Sequence, residues 1–167
     1  MDKRKHLLNA QDVQHTIKRL SYEILERNED VSVLCIVGIS GESHQTARLL
    51  HACVCEFSGV AVPYGEVDLE QRVLLGIPDL HNRVVILAVD VLFTGDTIRR
   101  AMEAVCNAGR PYRIQLAALI DRGHRRFPIR ANYVGKNIPT SMSEFIEVRL
   151  DPVDPQSGVY ICESDDP

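Results

Sequence analysis

Along the first quarter of the chain, apolar residues recur at helical spacing and then close into unbroken runs, and the two patterns go on alternating to about residue 120. Val13, Ile17, Leu20 and Ile24 fall at steps of four, three and four, which predicts a helix over 11–27 with Asn9 as its N-cap. Residues 31–39, VSVLCIVGI, are rich in β-branched residues, the pattern of a strand buried on both faces. A second helix is expected over 44–57, with Ala47, Leu50, Val54 and Phe57 on one side and Ser43 able to cap it. A short strand is expected at 60–62, bounded by Pro63 and Gly65, and 66–82 read as a connector. Val84–Val89 is another buried run, followed by a helix with Ile98, Met102 and Val105 on one face and a stop at Gly109-Arg110-Pro111. Residues 113–120 repeat the buried run. Tyr133-Val134, Phe145–Leu150 and Val159–Cys162 are shorter strand candidates, the last within a C-terminal segment, 151–167, that ends in acids.

Strands alternating with helices predict an open, mostly parallel α/β sheet flanked by helices, here as a single domain over 1–167. Ligands of such sheets gather at the carboxyl ends of the strands. Ser40–Ser43, Asp90–Thr97 and Asp121–Arg130 each follow a strand, so they are expected on one rim.

Charge changes this picture little overall and strongly in one place. The formal net charge of −4 argues against bulk attraction to nucleic acid, yet Arg122, His124, Arg125, Arg126, Arg130 and Lys136 crowd into one short segment. The five cysteines lie inside apparent strands and helices, which fits reduced thiols in a cytoplasmic protein, and no apolar run has the length of a membrane span. His51-x-Cys53-x-Cys55 puts positions 51 and 55 on one helix face with 53 pointing away, so core packing is expected rather than a metal site.

The richest chemistry is the turn after Asp90. Thr94-Gly95-Asp96-Thr97 joins a buried strand to a helix N-terminus, whose first N–H groups lack intrahelical partners and whose dipole favours an anion. Gly95 allows close backbone approach, and Thr94 and Thr97 offer hydroxyls. That arrangement predicts a nucleotide or sugar-phosphate site.

An apolar strand, an acid and then Thr-Gly-x-Thr opening a helix resembles the phosphoribosyl pyrophosphate signature of type I phosphoribosyltransferases. The segment from Val84 to Asp151 resembles the PyrR family in particular, most densely through NAGRPYRIQLAALIDRGHRRFPIRANYVGKNIPTSMSE. The resemblance implies the type I fold. It implies a homodimer or larger assembly, regulation of pyrimidine genes through a leader RNA when uridine nucleotides are abundant, and uracil phosphoribosyltransferase activity with Mg2+. It places the nucleotide 5′-phosphate at Thr94, Gly95, Asp96 and Thr97, the ribose and any catalytic role on Asp90, and RNA contacts on Arg19, Arg27, His124, Arg125, Arg130 and Lys136.

Departures from the family pattern narrow that expectation. Valine at 89 replaces the first of two adjacent carboxylates. Ser40-Gly41-Glu42-Ser43 stands where the family has a basic pyrophosphate loop, so this loop reads as degenerate, with an acid facing a leaving group that needs cations. The flexible loop that serves as a hood is shortened to 66–82. The expectation is a PyrR-like regulator that senses UMP or a related nucleotide, needs no cofactor or metal for binding, and transfers weakly or not at all. Two other readings stay open: an active uracil phosphoribosyltransferase, and a non-catalytic structural or interaction subunit.

Overall fold

The computed structural model describes residues 4–41 and 44–164. In chain order these form β1 (Arg4–Asn9), α1 (Ala10–Arg27), a 3-10 turn (Val31–Val33), β2 (Leu34–Ile39), α2 (His44–Ser58), β3 (Tyr64–Asp68), β4 (Val73–Leu75), β5 (Val84–Leu92), α3 (Asp96–Ala108), β6 (Arg113–Asp121), β7 (Tyr133–Asn137), β8 (Glu144–Arg149) and β9 (Gly158–Glu163).

Six strands make the main sheet in the order β4-β3-β2-β5-β6-β7, parallel except for β4, which runs back against β3. The open, mostly parallel α/β sheet expected from the pattern is therefore present. The two-sided apolar runs are strands because both faces are covered. Ile36, Ile86, Ala88 and Leu119 pack on one side with Ile17, Leu20 and Ile24 of α1 and Leu50 and Val54 of α2. Val37, Leu87, Val89 and Ala118 pack on the other with Ile98, Ala101 and Val105 of α3. At roughly 2 kcal/mol for each fully buried large aliphatic side chain, these two layers dominate the favourable side of folding.

Local signals set the ends. Asn9 caps α1 through a reciprocal pair: its side chain accepts from Asp12 N at 2.8 Å, and Asp12 accepts from Asn9 N at 3.0 Å. At the other end Asn28 N donates to Ile24 O, and the Asn28 amide reaches Gln115 and Tyr133.

Three expectations are corrected, the first being the strand expected over 31–39, which begins only at Leu34 after the 3-10 turn Val31–Val33. The strand expected at 60–62 lies instead at Tyr64–Asp68. Val60–Val62 forms a tight turn with Val62 N on Val60 O, and Pro63 O takes Ile36 N, so pairing with β2 begins after the β-branched residues. The connector 66–82 contains the end of β3 and its hairpin with β4. The chain's two ends build a second, antiparallel sheet, β1-β9-β8, in which β1 pairs with β9 across nearly the whole sequence. Arg4 forms an ion pair with Glu147 and lies 4.4 Å from the Tyr160 ring centre, joining all three strands. No helix among the described residues is long and apolar enough to cross a membrane.

Candidate nucleotide site

β2, β5 and β6 run parallel, so the turns after them share one rim of the sheet. At the end of β5 Asp90 is 6% exposed, and its carboxylate accepts from Thr46 N at 3.1 Å, in the first turn of α2. A carboxylate at that helix N-terminus is stabilised by the dipole and by charge-assisted hydrogen bonding. Val89, its neighbour, is 2% exposed in the layer under α3.

Asp90 and Val91 line a cavity of about 470 Å3 together with Gln45 and Phe145–Val148. The far wall is thus β8, an edge strand of the small sheet. Gln45 braces the gap from α2, its Oε1 accepting from Leu150 N at 3.1 Å. Neither Gln45 nor β8 is marked by its residue types. Phe145–Leu150 reads as a strand from sequence, and nothing local shows that it faces β5.

Beyond Val91 the chain enters the turn expected to hold phosphate. Gly95 is the N-cap of α3 in left-handed backbone (φ 90°) and has no side chain to cap the helix. Thr94 Oγ1 accepts from Asp96 N at 3.2 Å. Asp96 turns along the helix to Arg99 at 3.2 Å.

The segment after β6 holds this turn from behind. Thr94 O accepts from Arg126 N at 2.8 Å and Phe127 N at 3.2 Å. Arg125 donates to Phe93 O at 2.8 Å, Ile129 O at 2.8 Å and Asp121 at 2.6 Å. Arg122, 6% exposed, lies 3.8 Å from the Phe93 ring centre and donates to Thr140 Oγ1, Ser141 O and Glu144 O. Its burial lowers the guanidinium pKa, with the Glu144 charge acting the other way. His124 bonds Thr140 O and stands edge-on to Phe93.

The cations singled out for RNA therefore divide. Arg19 donates to Glu23 and to Val134 O and Gly135 O, and Arg27 to Asn132 O, so both clasp the β7 segment. Arg125 is turned inward. Arg130 and Lys136 are exposed and have no ion pair among the described residues.

The turn after β2 is built differently. Ser40 N donates to Val67 O, and Ser40 Oγ lies 3.3 Å from Glu66 Oε2. Glu66 also accepts from the Tyr64 hydroxyl at 2.8 Å and from Arg48 at 3.1 Å. Burial raises the Glu66 pKa, but these hydrogen bonds and the Arg48 charge outweigh it and leave the carboxyl below its ordinary range. Burial and Glu66 push the Tyr64 phenol up. Gly41 O accepts from His44 Nδ1. Glu42 and Ser43 of the degenerate loop, including the Ser43 cap, lie outside the described residues.

His51 donates to Val62 O at 2.7 Å with Cys55 Sγ 3.4 Å from the same nitrogen, which fastens α2 to the turn before β3. Among the described residues no three His, Cys, Asp or Glu side chains converge as metal ligands.

Residues 3–152 match the phosphoribosyl transferase domain family. The Bifunctional protein PyrR of Herpetosiphon aurantiacus is 43% identical, over 96% of this chain and 98% of its own length. That of Caldicellulosiruptor bescii is 40% identical, over 99% and 98%. Among solved structures, the hypoxanthine-guanine phosphoribosyltransferase of Leishmania tarentolae in complex with GMP shares the fold at a TM-score of 0.77 and 15% identity, covering 100% of this chain and 99% of that one.

Proposed function

The chain belongs to the phosphoribosyl transferase family, and within it to the bifunctional PyrR proteins; on that premise we propose a regulator whose site holds UMP or a related nucleotide and whose transferase step is weak. One contrast carries this reading. The turn after β5 is braced by the segment after β6, whereas Arg48, joined through Glu66 to the turn after β2, is already paired.

The N–H groups at the start of α3, with the Thr94 and Thr97 hydroxyls, would take the 5′-phosphate. Asp90, held by Thr46 N, would orient the ribose hydroxyls. The outer edge of β8 would offer main-chain N–H and C=O groups to a pyrimidine, with Phe145 beside it. In the reaction uracil + PRPP → UMP + pyrophosphate, charge builds on the leaving pyrophosphate. Each missing electrostatic clamp costs about 3 kcal/mol of transition-state stabilisation.

Magnesium is the metal this family uses, and it binds through one or two carboxylates together with substrate phosphates. Among the described residues the carboxylates at this cavity are Asp90, which accepts from Thr46 N beside a valine buried under α3, and Glu147, which is paired with Arg4 and Arg149. With valine at 89 in place of a second adjacent carboxylate, Asp90 would be the side chain left to meet a magnesium ion, which would take its other ligands from substrate phosphates and water.

Isothermal titration with UMP, GMP and PRPP tests the sensor reading. UMP binds and PRPP gains nothing over it; absence of nucleotide binding at millimolar concentration would sink the idea. A second reading, an active uracil phosphoribosyltransferase, is favoured by the near-full-length match to proteins named bifunctional. Robust UMP formation from uracil and PRPP, lost in Asp90→Ala, would establish it over the first.

For leader RNA, Arg130 and Lys136 would supply phosphate contacts, with Arg19 and Arg27 shaping the surface beside them. A gel shift with the leader of the pyrimidine genes should weaken in Arg130→Ala and Lys136→Ala. RNA binding indifferent to both favours an interaction subunit of another kind. The same reading makes the protein a homodimer or larger, which light scattering checks.

A further inference from the structure

A separate cavity of about 310 Å3 opens between the β3–β4 turn and α3. Arg72 lines it from the turn and Arg99 and Arg100 from the helix, with Leu69, Glu103 and Asn107 completing most of the wall. Three arginines and one glutamate thus line it in a chain whose net charge is −4. Arg99 is internally compensated, 3.2 Å from Asp96 and 3.5 Å from Glu103. Arg72 and Arg100 have no acidic partner among the described residues, and Arg100 reaches only Leu69 O, at 3.5 Å.

Both cations stand on fixed backbone. Asp68 Oδ1 accepts from Glu70 N and Gln71 N, each at 3.0 Å, and Leu69 packs on the core layer under α3. Arg72 itself sits at φ 58°, in left-handed backbone that an arginine seldom adopts. The turn thus contributes one exposed arginine to the cavity lining and the helix another. Paired planar forks of this kind match phosphate oxygens far better than they match one another.

We propose that this cavity is a second anion site, distinct from the turn at Thr94–Thr97, and that it takes a diphosphate group. The volume equals about ten waters at ~30 Å3 each, room for the two phosphorus and seven oxygen atoms of pyrophosphate. Two cations without an acidic partner among the described residues, one from the turn and one from the helix, match a diphosphate better than a single phosphate.

Titration of the full chain with inorganic pyrophosphate, in saturating UMP, tests the site. Pyrophosphate binds under those conditions, more tightly than inorganic phosphate. The double variant Arg72→Gln/Arg100→Gln weakens it at least tenfold while its melting temperature and UMP affinity stay at wild-type values. UDP binding more tightly than pyrophosphate at this site would mark a nucleotide tail as the source of the group; equal or weaker binding would mark free diphosphate. The proposal falls if UMP displaces all the pyrophosphate, if the double variant binds it as wild type does, or if none binds at millimolar concentration.

Discussion

After β5 the chain turns through Thr94 and Gly95 into α3; after β2, its neighbour in the sheet, it turns through Ser40 and Gly41 toward α2. The first turn is held by a distant part of the sequence. Arg126 N and Phe127 N meet Thr94 O, Arg125 meets Phe93 O, Arg122 stacks on Phe93, and Ile129 lies against Gly95. The second satisfies itself nearby, through Ser40, Tyr64 and Arg48 on Glu66. The difference teaches where the arginines after β6 act. Several of them fix a backbone cradle, so a ligand entering it meets groups already in place and loses less to ordering. The turn after β2 has spent its nearby cation internally.

Removing the brace should give the largest effect. Arg122→Ala strips three hydrogen bonds and a ring contact from a buried guanidinium, leaving two carbonyls and a hydroxyl to find other partners. A loss of about 3 kcal/mol is expected in urea denaturation. Arg122→Lys should recover less than half of it, because an ammonium lacks the planar fork. Wild-type stability in Arg122→Ala would mean the turn stands without its brace. Arg125→Ala should follow at about 2 kcal/mol and weaken UMP, with a smaller effect on RNA than Arg130→Ala; the reverse ranking would return Arg125 to the RNA surface.

Two glycines compare the turns directly. Gly95 and Gly41 both have left-handed backbone, at φ 90° and 98°. A Cβ on Gly95 would come within 3.2 Å of Ile129 Cδ1, whereas nothing lies within 4 Å of one on Gly41. Gly41→Ala should cost about 1 kcal/mol from backbone strain alone. Gly95→Ala should cost about 1–2 kcal/mol and also weaken UMP. Equal costs by thermal melting would mean that Ile129 yields freely and the cradle is not rigid.

The sequence carried the central sheet plainly, because β2, β5 and β6 are buried on both faces and leave unbroken apolar runs. α1 was legible to its first residue pair, since Asn9 and Asp12 form a cap from side chains three apart. The turn after β5 was legible as a strand-to-helix turn from its residue types and position. What stayed hidden depends on distance along the chain. β1 reads as a charged, unremarkable hexamer until Gly158–Glu163 pairs with it. The β8 wall and Gln45 acquire meaning only when the small sheet closes over β5. Composition located the arginines but not their direction: Arg125 and Arg130 look alike in sequence, and one is turned inward. At Val60–Val62 β-branched residues suggested a strand, but the hydrogen bonds of a turn and the start of pairing at Pro63 prevailed.

The smallest expected effect separates the turns by charge. The Glu66 carboxyl is held below its ordinary range by Tyr64 and Arg48 against the opposing pull of burial. A depressed carboxylate pKa contributes stability that is fully present above the unfolded value of about 4.3 and is lost as pH falls through the folded one. Arg48 is largely exposed, so screening keeps the contribution to a few tenths up to about 1 kcal/mol. Glu66→Gln should therefore be less stable than wild type by that amount at pH 7, and the gap should close as both are titrated from pH 5 toward pH 3. Glu147, whose carboxyl is likewise lowered by Arg149 and Arg4 despite burial, is common to both proteins and cancels in the difference. The substitution also releases Arg48 beside the β2 turn, so PRPP should gain affinity relative to UMP. A gap that persists unchanged into acid would show that Glu66 acts through packing. A closing gap with no gain for PRPP would show that the freed guanidinium does not reach the leaving group.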